Sequence, residues 1–229
     1  MTLIELKNYV LTPEKNGHGI SPCHLCIGKG DIVSIQSDSA NDAHLLFKGL
    51  ATLSYPQKGT YVFQGRALDF SDYRNLLKTK KNIGYLTSST TLISNRSIRD
   101  NLSLGNVYFG NDLSVKLDQE TLDLCRDFGI EALLDERPVN LGLADNKRAM
   151  FIRELIKKPR VMLFENPEDF SGLIYKSTLI RVLKEEIKAG MALVFLTYDE
   201  DFMNAFPGII LEIKKGGVSF VSDSQTHSG

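Results

Sequence analysis

Residues 29–44 decide the fold of this chain and read KGDIVSIQSDSANDAH. A Lys-Gly-Asp turn signal comes first, and the apolar positions after it predict a buried strand. A small polar loop at residues 37–41 follows, and a helix is expected to begin near Asp42 with Ser39 or Asn41 as its N-cap. This order of strand, polar loop and helix is typical of an α/β fold.

Short apolar runs rich in Val, Ile and Phe predict further strands in the N- and C-terminal thirds of the chain. Between them, helical spacing at residues 117–133 and 149–156 predicts a helical lobe. Another amphipathic helix, at residues 175–188, lies between two apolar strands, as in a parallel sheet. The strands are predicted at residues 2–7, 24–27, 31–36, 60–64, 82–86, 161–165, 192–197, 208–213 and 217–221.

Composition excludes several classes of protein. The chain has 229 residues, with 27 Lys and Arg against 28 Asp and Glu, so its net charge of −1 provides no basic field to hold nucleic acid. Residues 1–6 lack the pattern of a signal peptide, and no run approaches the roughly 18 apolar residues of a membrane helix. The sequence therefore predicts a cytoplasmic protein that does not bind nucleic acid.

Three cysteines are too few and odd in number for a disulfide framework. Cys23 and Cys26 have the spacing of a zinc or redox pair. If the segment is a strand, however, the two sulfurs lie on opposite faces, which favours packing over metal binding.

Four later segments belong to one pattern with the opening stretch: residues 83–86 (IGYL), 141–155, 161–167 (VMLFENP) and 195–199 (FLTYD). In this order they resemble the nucleotide-binding domain of ABC transporters over about residues 2–221. The signature-like segment starts at residue 141 and the Walker B-like strand at residue 161, a spacing that the family shares. The resemblance implies a P-loop NTPase-like α/β core of the ABC ATPase type, with an antiparallel β portion and an inserted helical lobe.

The same resemblance implies one domain over residues 1–222. Its core would comprise residues 1–87 and 159–222, and its helical lobe residues 88–158. Residues 223–229 are predicted to be a flexible tail.

The phosphate-loop positions depart from the family pattern. In intact members, glycines let backbone N–H groups close on the phosphates, a Lys neutralises them and a hydroxyl binds magnesium. Here Ser37, Ala40 and Asp42 stand for the glycines, Ala43 for the Lys and His44 for the hydroxyl residue. A carboxylate about 5 Å from a phosphate charge costs roughly 3 kcal/mol at an effective dielectric of about 20.

The hydrolytic positions depart as well. Glu165 stands where the family has the magnesium-linked Asp, and Asn166 where it has the Glu that polarises the attacking water. The neutral amide of Asn166 cannot accept a proton from that water. Ser88 replaces the magnesium-sensing glutamine, and Tyr198 the switch histidine. Glu165 could still hold a metal through water, or serve as a strand-end carboxylate in a polar network.

The signature segment is altered too, because a side chain fills a position where backbone must approach the γ-phosphate. The corresponding residues are Leu141, Gly142, Leu143, Ala144 and Asp145.

These losses predict a degenerate, non-hydrolysing ABC ATPase-like subunit with a structural or regulatory role on the inner face of a membrane. No catalytic residue, metal or cofactor is assigned; ATP and magnesium are expected only if the degenerate site still binds them. The implied partner is a membrane permease, an ATPase-like subunit or a second copy of the chain. A free-standing chain also suggests MCE-type lipid transporters. The alternatives are a soluble scaffold or regulatory module without a permease, and a weak ATPase that uses Glu165 and His44.

Overall fold

The structure is a computed structural model that describes residues 1–110 and 116–221. The tail predicted at residues 223–229 lies outside the described residues, as does a short part of the predicted lobe at residues 111–115. Across the described ranges, no helix combines the length and the apolar character needed to cross a bilayer.

Strands and helices alternate over most of the described chain. The strands are β1 (Thr2–Leu11), β2 (Ile20–Gly28), β3 (Ile32–Ser37), β4 (Lys58–Phe63), β5 (Arg66–Ala67), β6 (Ile83–Leu86), β7 (Val161–Glu165), β8 (Ala192–Leu196), β9 (Ile209–Lys214) and β10 (Gly217–Val221). The helices are α1 (Ala40–Leu50), α2 (Tyr73–Lys81), α3 (Ile98–Gly110), α4 (Gln119–Asp127), α5 (Leu143–Leu155), α6 (Glu168–Ser171), α7 (Lys176–Ala189) and α8 (Glu200–Ala205). Two 3-10 turns, Glu131–Leu133 and Pro138–Asn140, lie between α4 and α5.

The larger sheet has the strand order β10-β9-β3-β8-β7-β6, and all neighbouring strands except β9 and β10 are parallel. Its central strands are buried on both faces, as parallel strands between two layers must be. In β7, Leu163 packs into the core on one face, while Phe164 packs into the core on the other. The α/β class predicted from the sequence is confirmed.

The smaller sheet is antiparallel, in the order β2-β1-β4-β5. Helix α1 packs between the two sheets and contacts β1, β2, β3 and β7. Its buried side chains, among them Leu46 and Phe47, join the apolar core that the two sheets share. Helices α3 to α8 cover the opposite face of the larger sheet, where they contribute to a second core.

Among the elements that differ from the sequence-based prediction, two show the physical reason clearly. Strand β1 continues to Leu11 rather than ending at residue 7, because a bulge with Asn8 at φ +46° shifts the alternation of buried side chains. Helix α2 was not predicted. It buries only Leu76 and Thr79, so it carries little of the apolar periodicity by which helices are recognised.

The two cysteines of β2 lie on opposite faces, as predicted. Cys23 is buried against β1, whereas Cys26 is exposed, and both are free thiols. Burial raises the pKa of Cys23 to about 11, so this thiol is protonated and inert at neutral pH.

Phe164 tests how strongly the fold depends on the second core. Its ring is fully buried and contacts Phe151 and Phe170 at centroid distances of 5.8 and 5.0 Å. We expect Phe164→Ala to lower the free energy of unfolding by about 3–5 kcal/mol, because it leaves a cavity between sheet and helices. Urea denaturation measures this loss. The matched control, Phe220→Ala at a half-exposed ring, should change the free energy of unfolding by about 0.5 kcal/mol. Equal losses in the two variants would contradict the role of Phe164 in the second core.

Candidate functional site

The connection between β3 and α1 is a tight turn of two residues. Strand β3 ends at Ser37 and α1 begins at Ala40, two residues earlier than the predicted start. Ser39 is the N-cap, and its hydroxyl accepts a hydrogen bond from the Asp42 N–H at 3.2 Å. The Ser37 hydroxyl donates to the carbonyl of Ser39 at 2.8 Å and accepts from its N–H at 3.1 Å. The two serines of this turn therefore bond to each other.

Asp42 has no exposed side-chain surface and binds the loop between β1 and β2. Its Oδ1 accepts hydrogen bonds from the backbone N–H groups of His18 and Gly19, at 2.8 and 2.9 Å. Its Oδ2 lies 3.2 Å from His18 Nδ1. A Cβ at Gly17 would collide with Oδ1, so the glycine permits the close approach. The loop is an anion-binding turn that the chain fills with its own carboxylate.

The surroundings of Asp42 keep it ionised. Burial alone would raise the pKa of its carboxyl group, but the hydrogen bonds from His18, Gly19 and Ser39 outweigh that effect and hold the pKa below its ordinary value. A negative charge in the first turn of α1 is also favoured by the helix dipole.

His44, two residues after Asp42, forms a polar cluster with Glu165 and Tyr85. Nδ1 of His44 lies 3.0 Å from both carboxylate oxygens of Glu165, and the Tyr85 hydroxyl donates to Oε1 at 2.8 Å. The His44 side chain is 40% exposed, and that of Glu165 only 14%. Burial and the charge of Glu165 raise the pKa of Tyr85, so the phenol remains a donor. The structure thus places Glu165 in a polar network at the end of a strand.

Ala43 points away from both groups. It is 2% exposed and belongs to the core between the two sheets. A side chain at this position therefore meets apolar neighbours rather than a solvent-filled loop.

The other predicted positions lie on three further segments. Ser88 is exposed after β6, and its carbonyl accepts a hydrogen bond from Lys147 Nζ at 3.3 Å. Asn166 follows β7 in the left-handed region, at φ +50°, and its N–H donates to the carbonyl of Leu196. Tyr198 follows β8 and is 78% exposed.

The signature-like segment forms the start of α5. Gly142 is the N-cap, and Leu143 in the first turn is 75% exposed. Asp145 forms an ion pair with Arg148, whose guanidinium lies 4.4 Å from the centre of the Tyr175 ring. The charge of Asp145 is therefore balanced within α5. Leu141 and Ala144 complete the segment on either side of Gly142 and Leu143.

Sequence reasoning identified Asp42, His44 and Glu165 but missed the partners of Asp42. His18 and Gly19 lie 24 and 23 residues before Asp42, in a loop without a recognisable motif. Gly19 has a φ of +82°, a conformation that favours glycine, but no spacing rule in the sequence connects this residue to α1. Among the described residues, no group of three or more His, Cys, Asp or Glu side chains is arranged to hold a metal ion.

Comparison with known proteins identifies the family. The family model described as ABC transporter matches residues 24–169, which is more than half of the chain. The chain belongs to the ABC transporter family. The match spans the β3–α1 turn, the signature-like start of α5 and the strand that carries Glu165, so the site positions predicted from the resemblance up to Asn166 lie inside the matched region.

Among curated members of the ABC transporter family, the glutamate transport ATP-binding protein GluA of Corynebacterium efficiens is 22% identical over 207 residues, covering 90% of this chain and 85% of that protein. The macrolide export ATP-binding/permease protein MacB of Campylobacter jejuni is 28% identical over 200 residues. That alignment covers 85% of this chain but only 30% of MacB.

Solved structures of ABC transporter cassettes have the same fold. The dimeric structure of the bacterial cassette MJ0796 superposes with a TM-score of 0.80 at 20% identity, covering 95% of this chain and 97% of that one. A structure of the ATP-binding subunit of an ABC transporter gives a TM-score of 0.81 at 14% identity and covers 96% and 90%. The ABC ATPase architecture expected from the sequence is confirmed.

The Asp42 carboxylate is expected to stabilise the fold. We predict that Asp42→Ala lowers the free energy of unfolding by about 2–3 kcal/mol, because the N–H groups of His18 and Gly19 lose a charged acceptor. Urea denaturation measures the change. The control is Asp38→Ala in the same turn, whose exposed carboxylate accepts, among the described residues, only from Lys215 N at 3.2–3.4 Å; about 0.5 kcal/mol is expected there.

Acid titration gives a second readout of the same prediction. A carboxyl group whose pKa is lowered by folding stabilises the protein above its unfolded pKa, about 3.9, and this contribution is lost as pH falls through the folded pKa. The wild type should therefore lose more stability below about pH 4 than Asp42→Asn does. Parallel acid profiles for the two proteins would show that Asp42 is not held ionised by the loop.

Proposed function

We propose that this chain is a degenerate, non-hydrolysing ABC ATPase-like subunit that acts as a structural or regulatory component of an ABC transporter. The observation that carries the proposal is the position of Asp42. An intact phosphate loop offers free backbone N–H groups to a phosphate. Here α1 starts two residues before the predicted start, and Ser39 caps it. Asp42 directs a buried negative charge to the backbone N–H groups of His18 and Gly19.

Magnesium nucleotide does not fit the residues at these positions. The magnesium position would need a hydroxyl and a carboxylate free to coordinate the ion, but His44 replaces the hydroxyl and lies 3.0 Å from Glu165. No lysine is available at Ala43, which belongs to the core. Asn166 has no basic oxygen that could accept a proton from water. We therefore assign no catalytic or metal-binding residue. If the chain is instead a weak ATPase that uses Glu165 and His44, the tests below will show it.

The names of the relatives support an assembly with a transporter. GluA is a glutamate transport ATP-binding protein, MacB combines ATP-binding and permease parts, and MJ0796 forms a dimer. By extension, the partner proposed here is a permease or an ATPase-like subunit, with a second copy of this chain as the alternative. Its place would be the cytoplasmic face of a membrane. The names concern amino acids and macrolides, so they lend no support to lipid cargo or to an MCE-type system.

Purification of the native complex tests the assembly. The tagged chain should recover a membrane permease from detergent-solubilised membranes of its own source organism, together with any ATPase-like subunit. Recovery with soluble proteins alone, or as a free monomer, would contradict the proposal and favour the scaffold or regulatory module. A size-exclusion profile of the isolated chain distinguishes monomer from homodimer.

Binding of Mg-ATP is expected to be absent at millimolar concentration. With about 5 mM nucleotide, a dissociation constant of about 0.05 mM would stabilise the protein by about 2.7 kcal/mol, which corresponds to roughly 5–10 °C for a chain of this size. We predict a shift of the unfolding midpoint below about 1 °C. An intact cassette such as GluA is the positive control. A clear shift that Asp42→Arg alters would contradict the proposal.

Repair of the phosphate loop alone should not restore hydrolysis. Ala43→Lys with His44→Ser returns two missing groups, but Asp42, Asn166 and Tyr198 remain, so turnover should stay at background. Because Ala43 is buried, thermal unfolding must first establish that the double variant folds; His44→Ser alone serves if it does not. Phosphate release above that of the wild type in either variant would show that Glu165 supports catalysis.

A further inference from the structure

A second concave region lies away from the altered nucleotide positions, between the β4–β5 hairpin and α2. It is a cleft of about 520 Å³, within the range of small-molecule sites. None of the residues that line it belongs to the β3–α1 turn, the signature-like segment or the strand ends of the larger sheet. The cleft is therefore a separate feature of the surface.

Two cations face this cleft from different elements. Arg66 lies on β5 and Lys78 on α2, and neither forms an ion pair with any described residue. The one acidic side chain in the lining, Asp69, accepts hydrogen bonds from the N–H and hydroxyl of Ser71, at 2.9 and 2.6 Å. These bonds lower the pKa of Asp69, which is therefore ionised, and they direct its Oδ1 toward Ser71. Two cationic side chains against one carboxylate leave the cleft with an excess of positive charge.

Capping of α2 does not account for this charge. The helix carries Arg74, Lys78, Lys80 and Lys81 and no acidic residue. The helix dipole attracts cations to the last turn, where three of the four lie, but it disfavours Arg74 in the first turn. It has no bearing on Arg66, which lies on a neighbouring strand. The positive surface also runs against the net charge of the chain, −1.

A hydroxyl that lines the cleft lacks a partner among the described residues. Thr79 is only 6% exposed, but its hydroxyl makes no hydrogen bond with any of them. A helical Thr commonly bonds the carbonyl four residues earlier, which here is that of Asn75, and Thr79 does not. Its hydroxyl can therefore donate to a ligand in the cleft.

The floor of the cleft is apolar. Phe63 and Leu76 are 6% and 1% exposed and lie beneath the charged rim, with half-buried Leu68 beside them. A ligand that fits this arrangement has an anionic head and an apolar portion. Arg binds phosphate through its planar fork and Lys as a point charge, and two cations with a hydroxyl donor match a doubly charged phosphate better than a single carboxylate.

We infer that the cleft between β5 and α2 binds a phosphate monoester that carries an apolar group. The phosphate lies between Arg66 and Lys78 and accepts a hydrogen bond from Thr79, and the apolar group covers Phe63 and Leu76. This site does not depend on a transporter assembly or on nucleotide binding. Its ligand is either a soluble organic phosphate or the headgroup of a phospholipid with a terminal phosphate.

Calorimetric titration of the full chain with octyl phosphate tests the site. The wild type should bind octyl phosphate at least tenfold more tightly than inorganic phosphate, because only the former covers the floor. Arg66→Gln with Lys78→Gln should weaken binding at least tenfold, and Thr79→Val severalfold. The matched control, Arg137→Gln with Lys188→Gln, removes the same charge from exposed positions elsewhere and should change affinity less than twofold.

Vesicle binding separates the two sources of ligand. Recruitment of the wild type to vesicles containing phosphatidic acid, lost in Arg66→Gln with Lys78→Gln but not in the control, identifies a lipid headgroup. Binding of octyl phosphate without vesicle recruitment identifies a soluble ligand. Absence of both, equal affinity for octyl and inorganic phosphate, or an equal loss in the control variant would overturn the inference. Arg66 and Lys78 are exposed, so both variants are expected to fold, which circular dichroism checks.

Discussion

Burial of the larger sheet on both faces is the constraint from which the rest of this structure follows. Because β7 and β8 are apolar on both sides, each face needs its own layer. One layer is α1 with the antiparallel sheet, and the other is the set of helices that begins at α3. The site positions that the resemblance implies lie at or near strand ends and helix starts fixed by this layering. The layering therefore decides where these side chains meet.

The polar side chains at this edge of the larger sheet find their partners within the chain. Asp42 accepts hydrogen bonds from N–H groups of the β1–β2 loop, and Glu165 lies between His44 and Tyr85. Buried polar groups are costly when unpaired. These contacts therefore remove a cost that the layered fold would otherwise impose on the chain.

Much of the architecture was predictable, since apolar alternation in residues 161–165 and 192–197 and the spacing of the family's motifs depend on local pattern. Helix α2 was not, because a short cationic helix with Leu76 as its one buried apolar residue carries almost no periodicity. The site was predictable only in part. Asp42, His44 and Glu165 could be placed by alignment of motifs. His18 could not, because its contact with Asp42 arises from the packing of a loop 24 residues away in the chain.

The start of α1 is a coupled unit rather than a set of separate contacts. Ser39 as N-cap, the hydroxyl of Ser37 and the carboxylate-bearing Asp42 are joined by hydrogen bonds, so loss of any one of them is expected to weaken the other two. Substitutions at these positions are therefore expected to be non-additive in their effect on stability. Since total stabilities are only about 5–15 kcal/mol, cooperative loss of this short segment would remove a large fraction of what keeps the chain folded.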